Sequence, residues 1–340
     1  GTSSTSNGYQ TVDRMNFYTA NTGVTVTQSQ QSLASSDTPY TLGFRNFYRI
    51  ALSGAGTANS SADVGIFTTL EAQDIANSGW NYTSTSSFIT LQFWFRCSTN
   101  QTFYCYLLSK DGTEQSYPFS FTASGNNAWT KITKTIPGNS NLTFDNNNEQ
   151  GLTIVFVPFF GTDLTGNKTL DQWSAFSASN RIPDMASTWL TAGASTFDLT
   201  GLQLEVGSVA TDFEHRSFGQ ELALCQRYFY MHTHGEDYTG SGDHAVSDCF
   251  TVHSNTLAFT SITPPVTMRA KPTLYTVANT GYFKYYNPNS NQTNITSIQM
   301  DGSTSRTSLG VYVGGSFTAG QAILVRAFDS NARLGFSAEL

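Results

Sequence analysis

The stretch FITLQFWFRC, Phe88 to Cys97, alternates strictly: Ile89, Leu91, Phe93, Phe95 and Cys97 are apolar, and Thr90, Gln92, Trp94 and Arg96 stand between them. Successive side chains of a strand point to opposite faces, so this period of two reads as a strand with one face on a core. After Ser98 to Thr102 the run FYCYLL, Phe103 to Leu108, repeats the pattern with Phe103, Cys105 and Leu107 on the odd positions. Two such closely spaced runs predict a hairpin whose odd positions share the core face, leaving Trp94, Tyr104 and Tyr106 together on the other. Cys97 and Cys105 would then stand across from one another, either bridged or as buried free thiols, since geometry alone decides.

Outward from this pair the same grammar continues. Leu152 to Phe160 (LTIVFVPFF) is apolar on both faces and reads as a central strand that Pro158 stops. In Thr196 to Val206 the apolar parity moves from odd (Phe197, Leu199) to even (Leu202, Leu204, Val206) at Thr200-Gly201, which predicts a β-bulge. Shorter runs lie at 24–27, 47–52, 64–70 and 129–136. Together they give the eight or so strands of a jelly-roll β-sandwich. The best helix is Ser217 to Gln226, where Ser217 caps and Gln220, three residues on, completes a capping box. Beyond it alternation resumes at 227–234, 245–259, 308–313 and 322–328. The expected organisation is all-β: linker 1–8, jelly roll 9–215, a short helix at the joint, and a smaller β-sandwich over 216–340. The Gly/Ser/Thr-rich opening suggests a chain that continues upstream.

Composition narrows the function. Charged residues are 12% of the 340, against about 25% in ordinary soluble proteins, while aromatics reach 14%. With 17 basic and 24 acidic residues the net charge is −7, and no basic cluster offers the counterion release that drives nucleic-acid binding. No apolar run approaches the ~18 residues a membrane span needs, so membrane insertion is not expected. Four cysteines without CxxC spacing make no disulfide framework.

Several stretches carry a resemblance: NGYQTVDRM (7–15), TFDLTGLQLEVGSVATDFEHR (196–216), LALCQRYFY (222–230) and PVTMRAKPT (265–273), with Trp129-Thr130 and 151–161. They resemble a module of bacteriophage virion proteins, especially tail-fibre and appendage proteins of marine and cyanobacterial phages, whose first part is similar to a carbohydrate-binding-module jelly roll. The resemblance implies a non-enzymatic structural protein of the virion, exposed on the particle exterior. It also implies other virion proteins as partners, a homotrimer, and contact with host-surface glycans. A capsid decoration protein and a glycan-binding module of a secreted bacterial hydrolase are the alternatives. Phe213 is expected to plug one end of the sandwich as the chain leaves it.

Compact motifs for hydrolysis, metalloproteolysis and nucleotide binding are missing from the sequence. A glycosidase can hold its two acids far apart along the chain, but acids here are few and sit in turns such as Asp111-Gly112 and Asp301-Gly302. Sugar binding instead needs aromatic faces and forked polar groups. Trp94, Tyr104 and Tyr106 with Gln92 and Arg96 are the first candidates, and Trp80 with Tyr82 the second. Each also fits a bland reading, packed beneath a second layer or a neighbouring subunit.

Metal sites have weaker signals. His232, His234, His244 and His253 lie near Cys249, Asp237, Asp243 and Asp248. His232 and His234 would share one strand face, and in a trimer three such pairs would offer six nitrogens. An exposed loop whose histidines merely hydrogen-bond explains them more simply. A structural Ca²⁺ in the jelly roll would draw on Asp13 and Asp198. No cofactor is otherwise expected.

Overall fold

A computed structural model describes residues 3–124, 127–235, 244–246, 249–279, 281–286 and 292–340. The chain divides into two compact units, Gly1–His215 and Arg216–Leu340. Both are all-β, and among the described residues no helix is long and apolar enough to cross a membrane.

The first unit is a sandwich of two six-stranded antiparallel sheets. The front sheet orders β1 (Ser3–Ser4), β3 (Val26–Ser32), β4 (Asn46–Leu52), β14 (Thr196–Val206), β6 (Phe88–Cys97) and β9 (Thr130–Pro137). The back sheet orders β12 (Ser174–Ala175), β8 (Gln115–Ser124), β7 (Asn100–Ser109), β10 (Gln150–Phe160), β5 (Asp63–Glu71) and β2 (Asn16–Ala20). A short parallel pair, β11 (Thr165–Gly166) with β13 (Ile182–Pro183), folds the segment after β10 back upon itself.

The alternation in β6 and β7 is realised across the core and not along one sheet. Strand β6 pairs with β14 and β9, whereas β7 pairs with β8 and β10. Ser98 and Thr99 therefore carry the chain from layer to layer, and the expected hairpin does not form. Apolar parity says which side meets the core, but one core is reached equally well from either sheet. Phe93 and Phe95 meet Phe156 and Phe121 edge-on with ring centroids 5.0 and 4.9 Å apart. Aromatic edge-to-face contacts of this kind add about 0.5–1.5 kcal/mol each to the area they bury. Cys97 and Cys105, now on opposite layers, are buried free thiols. Cys97 Sγ donates to the Thr196 carbonyl at 3.0 Å. Burial pushes its pKa up to about 12, so it is a small core residue and not a nucleophile.

Other local expectations meet their physics. The β14–β6 ladder slips between Thr200 and Gln203, with Gly201 at φ +62° supplying the left-handed residue of the bulge. Pro158 ends the pairing of β10 with β7 at Val157, yet β10 rejoins β5 at Phe159 after a register shift. A proline lacks one donor only, so it breaks the ladder on one side and bulges it on the other. Residues 3–8, expected as linker, belong to the sandwich: Ser3 and Ser4 pair with Ser29 and Gln28, and Gly8 bridges Phe17. Phe213 packs edge-on against Phe44 at 4.7 Å.

The second unit opens with the helix Phe218–Gln226, whose Ser217 and Gln220 exchange both capping-box hydrogen bonds. A three-stranded sheet of β15 (Phe229–His234), β25 (Arg333–Ser337) and β19 (Thr273–Val277) follows. The larger sheet holds β16 (His244–Ala245), β17 (Phe250–Val252), β18 (Leu257–Ile262), β20 (Phe283–Tyr286), β21 (Gln292–Asn294), β22 (Ser297–Met300), β23 (Leu309–Gly314) and β24 (Ala322–Ala327). Phe336 and Leu334 of the small sheet share one core with Val311, Val313 and Val325 of the large one.

Candidate functional site

The back sheet of the first unit is apolar on both faces, and its outer face carries the site. Odd residues of β7 enter the sandwich core, so Tyr104, Tyr106 and Leu108 face out, beside Val155 and Val157 of β10 and Phe67 of β5. Leu164, Phe176, Ile182 and Met185, from the segment folded by β11 and β13, cover part of this second apolar layer. The cover is intramolecular, so these aromatics need no neighbouring subunit to shield them. Where the cover stops, a groove of about 250 Å³ runs over the strands. That is just below the ~300–1,000 Å³ usual for small-molecule sites.

Aromatic rings surround one end of the groove. Tyr18 lies 6.0 Å from Phe67, and Tyr106 is roughly parallel to Phe176 at 6.5 Å. The Tyr18 and Tyr106 side chains hydrogen-bond to each other, and Arg181 hydrogen-bonds Tyr106. Burial pushes the Tyr106 phenol up to about 12, with Arg181 partly opposing it, and burial raises Tyr18 well above its ordinary value. Both stay protonated donors across the physiological range. The Arg181 guanidinium lies 5.5 Å from the Phe160 ring and 6.0 Å from that of Phe176. Farther along, the hydroxyls of Thr69 and Thr153 pair across the strands at 3.0 Å. Gln150 and Lys110, the latter ion-paired with Glu114, close the far end.

Local sequence positions these groups. Tyr18 of β2 is directly opposite Gly65 of β5, and a Cβ on residue 65 would lie 2.1 Å from its ring. Only glycine lets the ring lie over the sheet. Threonines at Thr69 and Thr153 occupy facing positions of one row, where β-branched side chains suit a pleated surface.

The sequence candidates are dispersed by this architecture. Tyr106 lines the groove, and Tyr104 lies on the same outer face. Trp94, Gln92 and Arg96 lie on the outer face of the front sheet, separated from the two tyrosines by the core, so the five do not form one site. Gln92 is buried, its amide donating to Glu205 Oε1 and the Thr211 carbonyl at 3.2 and 2.7 Å. Arg96 stacks between Phe47 and Trp129, 4.9 and 4.5 Å from their ring centres, and pairs with Asp198 and Asp37. Trp80 is 3% exposed and belongs to the core, donating to the Ser87 carbonyl, with Tyr82 packed against it. Tyr18, Phe67, Phe176 and Arg181 were missed by the sequence reading. The glycine inside the Val64 to Leu70 run was the signal for Tyr18, since an isolated strand glycine marks a close approach.

The metal candidates find other partners. Asp198 is wholly buried, and its two oxygens receive Arg49 Nε and a second Arg49 nitrogen at 2.8 Å each, with Arg96 Nε at 2.9 Å. Two guanidiniums in those positions repel a Ca²⁺ ion and occupy its ligand oxygens. Asp13 is exposed in a turn. His232 receives the Tyr230 hydroxyl on Nδ1 at 2.9 Å, and its Nε2 donates to the Val246 carbonyl, so neither nitrogen has a lone pair left for a metal. His234, two residues on, is exposed, and His253 packs on Phe259. Asp237, Asp243 and Asp248 and the His244 side chain lie outside the described residues. Among the described residues no three His, Cys, Asp or Glu side chains gather as a metal site.

A second concavity of about 210 Å³ opens between the sheets at the Thr200-Gly201 bulge. Its walls combine Val12, Met15, Phe93, Phe156, Leu199 and Leu202 with Gln30, Asn46, Tyr48 and Thr200, and no charged side chain stands among them.

No family model matches the chain, and no curated protein matches it in sequence. Solved structures similar to it include the family 11 carbohydrate-binding module of a cellulosomal cellulase of Clostridium thermocellum. That likeness has 13% identity and a TM-score of 0.30, covering 63% of this chain and 98% of that one. A xylan-binding domain from Paenibacillus barcinonensis is 9% identical with a TM-score of 0.26, covering 57% of this chain and 87% of that one. The enzymatically active domain of tailspike protein 4 of bacteriophage CBA120 is 9% identical, TM-score 0.32, over 57% of this chain. The matched part spans 19% of that tailspike chain. Likenesses this distant carry no argument about ligand or activity, and the β-sandwich fold rests on the sheets themselves.

Proposed function

We propose that the first unit binds a glycan in the groove over the outer face of β7, β10, β5 and β2. The observation that carries this reading is the pairing of Tyr106 and Phe176 rings with the Tyr18 hydroxyl, the Thr69–Thr153 hydroxyls and Arg181 around one concavity. Pyranose rings present apolar C–H faces that stack on aromatics, and vicinal hydroxyls that fork onto polar side chains; both complements are in place. No carboxylate stands among the groove-lining residues, which supports binding without hydrolysis, because glycoside cleavage uses two acids flanking the bond.

In the larger setting the chain is read as a non-enzymatic component of a phage particle, in a tail fibre or appendage on the virion exterior, assembled as a homotrimer with other virion proteins. The stretches 7–15, 196–216 and 222–230 support this placement. The test of the binding role is a glycan array probed with the full chain, followed by calorimetry on the best probe. Phe176→Ala, a half-buried side chain, should weaken that complex about fivefold or more while melting nearly as the parent does. Absence of binding across the array, or equal affinity in the variant, overturns the reading.

A further inference from the structure

Arg181 and Lys110 are the charged side chains among the residues lining the groove. They are not equivalent. Lys110 is neutralised by Glu114, four residues on. Arg181 donates through Nε to the Ala178 carbonyl and hydrogen-bonds the Tyr106 hydroxyl, with Phe160 and Phe176 on its faces. These partners are all uncharged. Asp63 feels its field, and Asp184 lies by Tyr104, receiving the Thr165 hydroxyl at 2.6 Å. Among the described residues, neither acid forms an ion pair with Arg181.

Arg45 and Arg306 likewise donate to backbone carbonyls, but Arg181 is the cation among the groove-lining residues whose charge no ion pair offsets. The Arg181 guanidinium, planar by its own delocalisation, lies against the Phe160 and Phe176 rings, and a planar fork recognises a carboxylate or sulfate through two parallel hydrogen bonds. Of the Tyr18–Tyr106 pair one hydroxyl proton is taken up between the two rings, and the other is left to donate to an oxyanion or a sugar hydroxyl.

We infer that the groove selects an acidic glycan, one bearing a carboxylate or sulfate on the ring that stacks beside Phe176, with Arg181 receiving the oxyanion. The inference rests on the glycan reading above and adds the charge of the ligand. It makes recognition local, because the acidic protein as a whole repels a polyanion and Arg181 must offset that at the site.

The test compares matched probes by affinity electrophoresis and calorimetry on the full chain. The probes are polygalacturonate and its carboxyl-reduced form, and dextran sulfate and dextran. Binding to at least one acidic probe should exceed its neutral partner by about tenfold, and should weaken as salt is raised. The member preferred distinguishes carboxylate from sulfate. Arg181→Gln should erase the preference, and Arg181→Lys, which keeps the charge but loses the fork, should retain part of it. Equal binding of acidic and neutral partners by the parent protein overturns the inference while leaving the glycan reading standing. Binding to none of the four overturns the inference, and a blank glycan array then removes the glycan reading as well. Should Arg181→Gln melt early, the parent's salt dependence and its paired probes still decide the matter.

Discussion

Tyr18 stands directly across the ladder from Gly65, and the missing Cβ at residue 65 is what lets its ring lie on the sheet. A methyl there would meet the ring at 2.1 Å, far inside van der Waals contact. Gly65→Ala should therefore expel the ring and lower stability by about 1–3 kcal/mol, the usual cost of overpacking. Urea titration measures the stability loss. Loss of groove binding in the same variant ties the ring position to the site, and a variant with unchanged stability and binding shows that Tyr18 can leave freely.

Tyr106 joins two roles that substitution can separate. Its ring faces Phe176, while its hydroxyl links Tyr18 to Arg181. Tyr106→Phe keeps the ring and removes the link, leaving a buried Tyr18 hydroxyl short of one partner. The expected result is a stability loss of about 1 kcal/mol and weaker glycan binding. Calorimetry with the best array probe reads the second, and an affinity equal to the parent's would assign binding to ring stacking alone.

Trp94 lies off the core face, where alternation placed it, but across the core from Tyr104 and Tyr106. It is half-buried on the outer face of the front sheet, next to Gly201, while Phe95 beside it is in the core. Trp94→Ala should cost less stability than Phe95→Ala, for which about 3–5 kcal/mol is expected. It should leave groove binding unchanged, because the groove belongs to the other sheet. Denaturant melts of both variants, with the glycan titration repeated on Trp94→Ala, check this.

Strand existence and core faces were legible because period-two alternation is a local property: Ile89, Leu91, Phe93 and Phe95 are all buried where parity placed them. The capping box at Ser217 and Gln220 and the bulge at Thr200-Gly201 were legible for the same reason. Partner choice was not. Whether β7 lies beside β6 or across from it depends on contacts with β8 and β10, distant along the chain. The double-sided apolarity of FYCYLL was the available hint that the outer face of β7 is covered. The groove drew its aromatics from β2, β5, β7 and the 161–187 segment, a constellation that only the fold assembles. Likewise Asp198 read as a calcium ligand because nothing local reveals that Arg49, 149 residues away, lies against it.

Asp198 tests the front sheet. Two arginines converge on a wholly buried carboxylate, each with part of its own side chain in water. Asp198→Asn leaves the cations crowded without a counter-charge, and about 2–4 kcal/mol of stability should be lost, less than for a fully buried pair. Adding Ca²⁺ or a chelator should leave the melting of the parent protein unmoved. All five tryptophans, Trp80, Trp94, Trp129, Trp173 and Trp189, belong to the first unit, so tryptophan fluorescence follows its unfolding alone. A chelator that lowers this transition would restore a metal role.

His232 gives the second unit a pH dependence of definite sign. Burial lowers its pKa from the ordinary 6.5, only partly opposed by the hydrogen bond to the Val246 carbonyl. The neutral ring fits its surroundings, with one N–H for the carbonyl and one lone pair for the Tyr230 hydroxyl. An unfolded chain takes up the proton near pH 6.5, whereas the folded one resists it to lower pH. Stability is therefore complete above the unfolded value and declines as pH falls from there through the lowered folded value. Between about pH 7.5 and 5.5 the second unit should melt progressively earlier, and His232→Gln, which cannot titrate, should flatten that slope. Far-ultraviolet circular dichroism of the full chain records both units, and subtracting the tryptophan-reported transition isolates the second. An unchanged slope in His232→Gln would assign the pH response to other groups, and a parent melt independent of pH in this window would show that His232 is protonated as readily in the fold as out of it.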